Sequence, residues 1–533
     1  MKRNALGLLS SLTLVILAAS ATAGCGSDSG NNSTSGNGDG GSGEGGSGNT
    51  GNTAQGGSGN VGNNGQGGTG NEGNAGQGGS GNTGNSGQGG AGGDPNCAGS
   101  SSVDDDADGF TEAEGDCNDC DANTNPGAVD VISVDMNGDA LPPAQQYDED
   151  CDGVVLMPGQ DPTCDGAALA IDSLDPIHGA NAMDICKVSQ NGSWGIVDAQ
   201  YVHIDGTPLV DPLGHGLLSG FGPNVLPKMG AKVLALSSGA ARQPTDPGYQ
   251  SPSGYNKNST STNPPGFPIE SPSCPGVTTG TPHDSAALRL TLKVPTNAKS
   301  LSFKFKFYTY EFPTYICSTY NDFFVTLMDP PPVDVDPINK NIAFDAMGNP
   351  ISVNNALLDV CTPGTYGGKV FTCPGDINEL TGTGFETHGA TAWLQTNAPV
   401  TPGSDIVLTF STYDSGDGVL DSTTLLDDFQ WSADPAQTGT NDACLAGGTG
   451  TCDICVTDAI GTEGCCGEAW GECTASSPCA GLAGCVSLCN NDVCVNGCYA
   501  NYPNGIPLYE ATLECLYGDG SAASVGACGV VCK

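Results

Sequence analysis

Apolar and polar residues alternate along several short stretches in the middle of the chain. The stretches "ALRLTLKV" (287–294) and "LSFKFKF" (301–307) repeat with period two, and "NDFFVTLM", "TAWLQT" and "DIVLTFSTY" add further apolar runs. Such alternation is typical of strands with one buried face and one wet face. Helical periodicity is poor. We therefore predict a mainly β fold, an antiparallel jelly-roll-like β-sandwich over residues 166–435.

The two ends of the chain have other patterns. Residues 26–96 consist mainly of glycine, asparagine, serine and glutamine, with an 11-residue repeat that begins at Gln55, Gln66 and Gln77. Because such a segment has almost nothing apolar to bury, we expect a disordered tether over 25–96. Residues 436–533 hold 14 cysteines, which predicts a small disulfide-rich module.

The first 24 residues have the pattern of a signal peptide, in which Lys2 and Arg3 precede a short apolar stretch. Two cleavage sites compete. "ATA" at 21–23 suits ordinary signal peptidase, whereas "TAGC" at 22–25 resembles the bacterial lipobox, which implies a lipidated Cys25. We favour lipidation, since a low-complexity tether follows at once. The expected location is the outer membrane or cell surface, with secretion as the alternative.

The net charge and the cysteine content limit which partners and metals the chain is expected to bind. A net charge of -44 would repel phosphate backbones, which argues against nucleic acid, and would attract cations. Cysteines of an exported chain predict disulfides. Zinc is the alternative for "CNDC" at 117–120 and "CDIC" at 452–455, but the tail contains no histidine and has more thiols than one or two zinc sites need.

Acidic residues are concentrated in the segment 97–165. "DDDADGF" places Asp104, Asp106 and Asp108 at positions 1, 3 and 5, Gly109 at position 6, and the backbone carbonyl of Phe110 at position 7. A tight turn brings alternate side chains to one centre, and glycine allows the sharp bend. This is the first half of a calcium loop.

The loop then departs from an EF-hand, because position 12 is glycine and the next carboxylate is Asp116 at position 13. The same register recurs in "DEDCDG", with Asp148, Asp150 and Asp152. Residues 101–165 contain 18 acidic side chains and no basic one. An all-oxygen ligand set favours Ca²⁺ over Mg²⁺. Solvated acidic loops without a metal are the alternative.

Two cysteines accompany these loops. Cys117 follows the first loop and Cys151 lies inside the second, so a disulfide between them could staple two sites together. The stretches "DADGFTEAEGDCNDCDANTNPGAVD" and "YDEDCDG" resemble the MopE-type metal-binding motif of secreted bacterial proteins, over about 104–153. The resemblance implies a metal site. Some members are linked to copper, but no histidine precedes His178 here, and calcium remains our prediction.

The middle segment carries a second resemblance, on six stretches. They are "WGIVDAQY" (194–201), "LSGFGPNV" (218–225), "LALSSGAAR" (234–242), "YNDFFVTL" (320–327), "ISVNN" (351–355) and "YDSGDGVLDSTTLLDDF" (413–429). They are similar to the choice-of-anchor L domain of bacterial surface proteins, over about 166–435. The family's members carry varied surface anchors, and no activity follows from the resemblance.

The last of these stretches offers a further cation site. Asp414, Asp417 and Gly418 could cup a cation at a sandwich edge, helped by Asn321 and Asp322. The alternative is a turn in which these side chains bond backbone amides.

Catalysis is not expected. The folded part has no HExxH, no G-x-S-x-G elbow and no phosphate loop, and its histidines have no recognisable partners. An acid pair such as Glu311 and Asp414 could in principle act on a glycosidic bond.

The tail contains three CxxxC pairs, which are Cys485–Cys489, Cys494–Cys498 and Cys528–Cys532. Residues i and i+4 share a helix face, so these pairs predict short helices stapled side by side. The tail also resembles cysteine-rich C-terminal modules of secreted lipoproteins.

These predictions describe a lipid-anchored cell-surface protein that binds calcium and adheres to a ligand. Polysaccharide is the first candidate for that ligand, by fold-level analogy, and another surface protein is the next. The alternatives are a secreted hydrolase that acts on the envelope or on prey, and a purely structural surface protein.

Overall fold

The structure is a computed structural model. It describes residues 101–133, 141–157, 164, 169–190, 193–345, 347–354, 357–443, 456, 459–460, 466–487, 489 and 492–517. The predicted signal peptide and tether lie outside the described residues, as do Cys25, Cys528 and Cys532. Among the described helices, none is long and apolar enough to cross a bilayer.

Fifteen strands fall within the described part of the chain. Their bounds are β1 Gly195–Val202, β2 His215–Leu218, β3 Val233–Ser237, β4 Pro282–Lys293, β5 Ser300–Thr309, β6 Phe323–Asp329, β7 Ile351–Ser352, β8 Leu358–Val360, β9 Gly364–Tyr366, β10 Lys369–Phe371, β11 Gly389–Thr391, β12 Leu394–Pro399, β13 Asp405–Ser415, β14 Ser422–Ser432 and β15 Gly439–Asp442.

The strands form two larger antiparallel sheets. The first has the order β1-β4-β13-β6-β7 and the second the order β15-β12-β5-β14-β3-β2, with β11 paired to β5 and β8 paired to β11. Strands β4 and β5 are consecutive but lie in different sheets, and late in the chain β13 and β12 return to pair with them. This wrapping is that of a jelly roll. The predicted mainly β, antiparallel fold class is confirmed.

The alternating stretches bury their apolar faces between the sheets. Leu288, Leu290 and Leu292 on β4 are fully buried, as are the phenylalanines of β5. The ring of Phe303 packs edge-on against Phe410 of the opposite sheet, with 5.0 Å between ring centroids. Period-two burial on each strand thus forms one contiguous core.

The β5 stretch is an exception to the simple in-out pattern, because Lys306, on the predicted wet face, is fully buried. Its ammonium bonds the Glu379 carboxylate and the Thr391 carbonyl, both at 2.6 Å. A 3₁₀ helix, Ile377–Leu380, brings Glu379 to that face, and strand β11 pairs with β5 beside it. The sequence pattern alone did not reveal this arrangement.

The acidic segment is attached to the sandwich at the β4–β5 turn. The Thr296 amide donates to the Gly127 carbonyl (2.8 Å), and Asn297 bonds both the amide and the carbonyl of Val129. Asn125 is fully buried, and its side-chain oxygen accepts from the Gly127 amide and from the Thr296 hydroxyl. The "NPGA" stretch therefore holds the segment in place.

The C-terminal module is helical and disulfide-rich, as predicted. Helix α1 (Pro176–Asn181) belongs to the middle segment, and the module contains α2 (Gly467–Ala475), α3 (Ser477–Val486), α4 (Asp492–Asn501) and α5 (Ile506–Tyr517). Among its described residues, the disulfides are Cys466–Cys515, Cys473–Cys479, Cys485–Cys498 and Cys489–Cys494. The two described CxxxC pairs thus bridge to each other, which joins α3 to α4.

Candidate metal centres

The two DxDxDG loops have the same backbone conformation. Position 4 is left-handed in both, with φ of 65° at Ala107 and 58° at Cys151. Position 6 is glycine with positive φ in both, 101° at Gly109 and 88° at Gly153. Left-handed residues at these two places curl the chain tightly around the side chains of positions 1, 3 and 5.

The loops also share their hydrogen bonds. In the first and second loops respectively, the carboxylate at position 1 accepts from the amide of position 6 (3.0 and 2.9 Å). Position 3 accepts from the amide of position 5 (3.1 and 3.2 Å), and position 5 from the amide of position 7 (2.8 and 2.7 Å). In the first loop, position 7 is Phe110, and its amide donates to Asp108. Backbone donors therefore fix each carboxylate in both loops.

Two further carboxylates complete the first centre. A 3₁₀ turn, Glu112–Glu114, ends at Gly115 with φ of 107° and turns the chain back. Asp116 and Asp119 are each only 4% exposed, and oxygens of these two and of Asp106 lie within 4.8 Å of one another. Calcium takes oxygens at about 2.3–2.6 Å, so ligands on opposite sides of one ion are about 4.6–5.2 Å apart.

Each of these carboxylates uses one oxygen and leaves the other unsatisfied. The Oδ1 atoms of Asp106, Asp116 and Asp119 accept backbone amides at 3.1, 2.7 and 2.8 Å. Their Oδ2 atoms, and that of Asp108, are buried without a hydrogen-bond partner among the described residues. Buried carboxylate oxygens without donors are costly unless a cation compensates them. The residues present therefore fit a hard, oxygen-preferring ion.

The pKa values of the carboxyl groups in the first centre also show that their ionised forms are disfavoured. Burial raises the pKa of Asp116 to about 6, and the charges of Asp108, Asp106 and Asp119 raise it further against the lowering effect of the Asn118 amide. The pKa values of Asp106 and Asp108 are raised too, mainly by burial. Desolvation and like charges disfavour the ionised form, which a bound cation would favour.

The second centre is more open. Oxygens of Asp130, Asp148 and Asp150 lie within 4.8 Å of one another, and the Asp150 amide donates to Asp130 Oδ1 (3.2 Å). Burial and the charges of Asp130 and Asp152 raise the pKa of Asp150 to about 6. The ammonium of Lys187 lies 4.3 Å from the centroid of the Trp194 ring. Its positive charge lowers the pKa of Asp150 in part.

A disulfide joins the two centres. Cys117 and Cys151 are bonded, with 5.7 Å between their Cα atoms. Cys120 is also disulfide-bonded, so "CNDC" offers no free thiolates for zinc. The sulfurs of Cys489, Cys494 and Cys498 lie close together because they belong to two adjacent disulfides, which makes them unsuitable as metal ligands.

The residues of the predicted edge site are buried or half-buried in the structure. Asp414 is 1% exposed and interacts electrostatically with Asp322 and Asp421, whereas Asp417 is half-buried and interacts with Asp322 and Glu311. The side-chain oxygen of Asn321 is engaged by the Asn354 amide (2.9 Å). Glu311 is 2% exposed, so the acid pair Glu311 and Asp414 does not line an open cleft.

Sequence reasoning missed two members of the centres, Asp119 and Asp130. Both lie outside the six-residue DxDxDG register and reach the centres only because the chain folds back. The one available signal was the MopE-type resemblance, whose span of about 104–153 includes both residues. Local spacing alone could not distinguish these two residues among the 18 acidic residues of 101–165.

Comparisons with known proteins concern the sandwich. Residues 232–430 match the family described as choice-of-anchor L domain, which falls within the predicted 166–435 and indicates an exported or cell-surface protein. No curated protein matches the chain. Among solved structures, the K2 cleaved adhesin domain of Lys-gingipain is 14% identical, with a TM-score of 0.20, over 44% of this chain and 89% of that chain. A TM-score this low supports no inference about function.

Proposed function

Since residues 232–430 form a choice-of-anchor L domain, we propose that this chain is a non-catalytic surface adhesion module that binds calcium in its acidic segment. The observation that carries the calcium assignment is the first centre, where four buried carboxylate oxygens lack hydrogen-bond partners among the described residues. Calcium binds carboxylate and carbonyl oxygens in flexible geometries, which suits these loops. The ion would neutralise the like charges and hold the loops rigid.

The position of the segment supports a structural role for this ion. The loops are fixed to the β4–β5 turn through Asn125 and Asn297, and a disulfide joins one loop to the other. A calcium-loaded segment would thus be a rigid extension of the sandwich.

The adhesion ligand is proposed to be a polysaccharide. An open groove of about 490 Å³ on the sandwich is lined by His203, Asp211, Tyr255, Ser259 and Val210, among others. Aromatic, apolar and hydrogen-bonding side chains in one groove of this size suit a small number of sugar rings. A panel of immobilised polysaccharides, probed with the calcium-loaded chain, tests this choice; retention by none of them would remove it.

Calcium binding is expected to depend on both loops. Calorimetric titration of the metal-stripped full chain should show saturable binding at the two loop centres, and the double variant Asp106→Asn/Asp150→Asn should lose the ions bound there. Removing one charged ligand from each centre should weaken its affinity roughly tenfold or more. The measurement is the number of ions bound and their affinity.

Asp105→Asn is the matched control for this titration. Asp105 belongs to the same loop, but its side chain is exposed, and only its amide contacts the centre, through Asp119. The control should bind calcium as the wild type does. If it weakens binding as much as the single change Asp106→Asn does, the segment attracts ions only through net charge and the proposal is wrong.

Lipid anchoring through Cys25 is proposed on the lipobox resemblance. We expect Cys25→Ser to move the protein from the membrane fraction to the soluble fraction and to abolish incorporation of labelled palmitate. A single change removes the thiol that would carry the lipid. A chain that stays in the membrane fraction without Cys25 would contradict the proposal.

A further inference from the structure

A second group of buried acids lies inside the sandwich, where β13 turns into β14. Glu311 follows β5, Asp322 precedes β6, Asp414 lies near the end of β13 and Asp421 directly precedes β14. We call these four residues the inner acidic cluster. Each is at most 2% exposed. The cluster therefore lies at the junction of both sheets, apart from the loops of the acidic segment.

The cluster contains carboxylate oxygens without hydrogen-bond partners. Both oxygens of Asp414, both of Asp421 and Oε2 of Glu311 are buried and bond to none of the described residues. The Ser238 hydroxyl and the Tyr255 amide lie near enough to lower the pKa of Asp414 and of Asp421, respectively, but neither completes a hydrogen bond. Five unsatisfied carboxyl oxygens at one junction are unusual in a native fold.

Neighbouring acids show that the fold satisfies buried carboxylates elsewhere. Asp284 accepts from the amides of Lys257 and Ser259 and from the Ser259 hydroxyl. Asp322, within the cluster, accepts from the Ser422 hydroxyl at 2.5 Å. Among these five acids, the deficit thus belongs to Asp414, Asp421 and Glu311.

Positive charge from the protein does not balance the cluster. The nearest ammonium, that of Lys257, interacts electrostatically with Asp414 and Asp421, but it donates to the Ser237 carbonyl at 2.8 Å. Lys257 also interacts with Asp211 and Asp284, so its one charge is shared among four carboxylates. A further cation would offset the remaining charge, and oxygen-only ligands suit a hard one.

The local backbone is shaped to admit the Asp421 carboxylate. A Cβ atom on Gly239 would lie 2.1 Å from Asp421 Oδ2 and 2.8 Å from Asp421 Cβ, so only glycine fits there. The Asp421 amide is tied to the Pro252 carbonyl (2.9 Å) and its carbonyl to the Tyr310 amide (3.1 Å). The side chain is therefore held inward on a rigid turn.

We propose that the inner acidic cluster binds one hard divalent cation, with Asp414 and Asp421 as its charged ligands. Neutral oxygens of the surrounding turns complete the coordination. The ion ties the β13–β14 crossover to both sheets and thereby locks the sandwich. This site is independent of the DxDxDG loops.

The test uses the full chain with the loop centres disabled, as Asp106→Asn/Asp150→Asn. Calcium titration of this metal-stripped variant, followed by calorimetry and by terbium luminescence, should show one remaining saturable ion. Adding Asp414→Asn should weaken that ion roughly tenfold or more. Adding Asp405→Asn instead is the matched control, because Asp405 lies at the other end of the same strand with an exposed side chain.

Asparagine is nearly isosteric with a protonated aspartate, so the metal-free fold should tolerate the change, and circular dichroism checks this. If Asp414→Asn fails to fold, Asp421→Asn takes its place and the single residual ion remains the primary readout. No saturable ion in the loop-disabled chain overturns the inner site, even where the wild type binds calcium at its loops. A residual ion that Asp414→Asn or Asp421→Asn leaves unchanged overturns it as well. Loss of the loop ions alone bears on the proposed function and leaves the inner site in place.

Discussion

In a calcium-free buffer that contains a chelator, raising the pH from about 6.5 to 8.5 is expected to lower the free energy of unfolding by up to about 6 kcal/mol. The cause is a set of buried acids inside the sandwich. Burial raises the pKa of Glu311 to about 8, that of Asp421 to about 8 and that of Asp427 to about 9. In the unfolded chain the same groups titrate near pH 4.

The sign follows from proton counts. Between about pH 4 and the folded pKa values, these acids keep their protons in the folded state and have lost them in the unfolded state. The folded state therefore binds more protons, and stability falls as the pH rises until the folded groups ionise. His215 and His388, whose pKa values burial lowers, act in the opposite sense, but their effect is complete near pH 6.5. Lys257, whose pKa burial also lowers, opposes the fall toward alkaline pH.

Scanning calorimetry in chelator at several pH values measures this slope. Calcium should remove most of the fall, because an ion in the inner acidic cluster favours the ionised acids. Glu311→Gln should flatten the slope in chelator, since glutamine does not titrate. A melting temperature that rises across this pH window in chelator would contradict the assignment of these acids as protonated in the metal-free fold.

Local pattern predicted much of the sandwich. The alternation at 287–294 and 301–307 marks strands because one face of each must enter the core, and those apolar side chains are buried. The DxDxDG spacing likewise specifies a turn whose geometry is set by six adjacent residues. Features encoded within ten residues of the chain could therefore be recognised from sequence.

Features that depend on contacts between residues far apart in the chain could not be recognised from the sequence. Asp119 and Asp130 reach the metal centres only after the chain turns back. Asp414 was expected at an edge, yet β14 and the turn before β6 enclose it, because β13 and β14 belong to opposite sheets. The pairing Cys485–Cys498 and Cys489–Cys494 depends on the relative placement of two helices, which the spacing CxxxC leaves open.

Lys306 is the clearest case of a residue that the sequence pattern predicts to be exposed and that tertiary contacts bury. Its place in "LSFKFKF" predicts exposure, but the segment 377–391 folds over that face and buries the ammonium. Burial lowers the pKa of Lys306, and the Glu379 carboxylate raises it in compensation. The pair therefore carries a specific energetic role in holding this segment on β5.

Glu379→Ala is expected to destabilise the sandwich by about 2–3 kcal/mol, because it leaves a buried ammonium with only the Thr391 carbonyl as a bonded acceptor. The value lies below that of a fully buried pair, since the Glu379 side chain is 30% exposed. Urea denaturation of the calcium-loaded chain measures the change.

The double variant Lys306→Met/Glu379→Ala is the control for this prediction. Methionine has a similar length and no charge, so it removes the uncompensated ammonium, and its stability should return to within about 1 kcal/mol of the wild type. A double variant as unstable as Glu379→Ala would show that the loss comes from packing around residue 379. A single variant as stable as the wild type would show that water reaches the ammonium, and the segment 377–391 would then be a loose cover rather than a fixed part of the sheet.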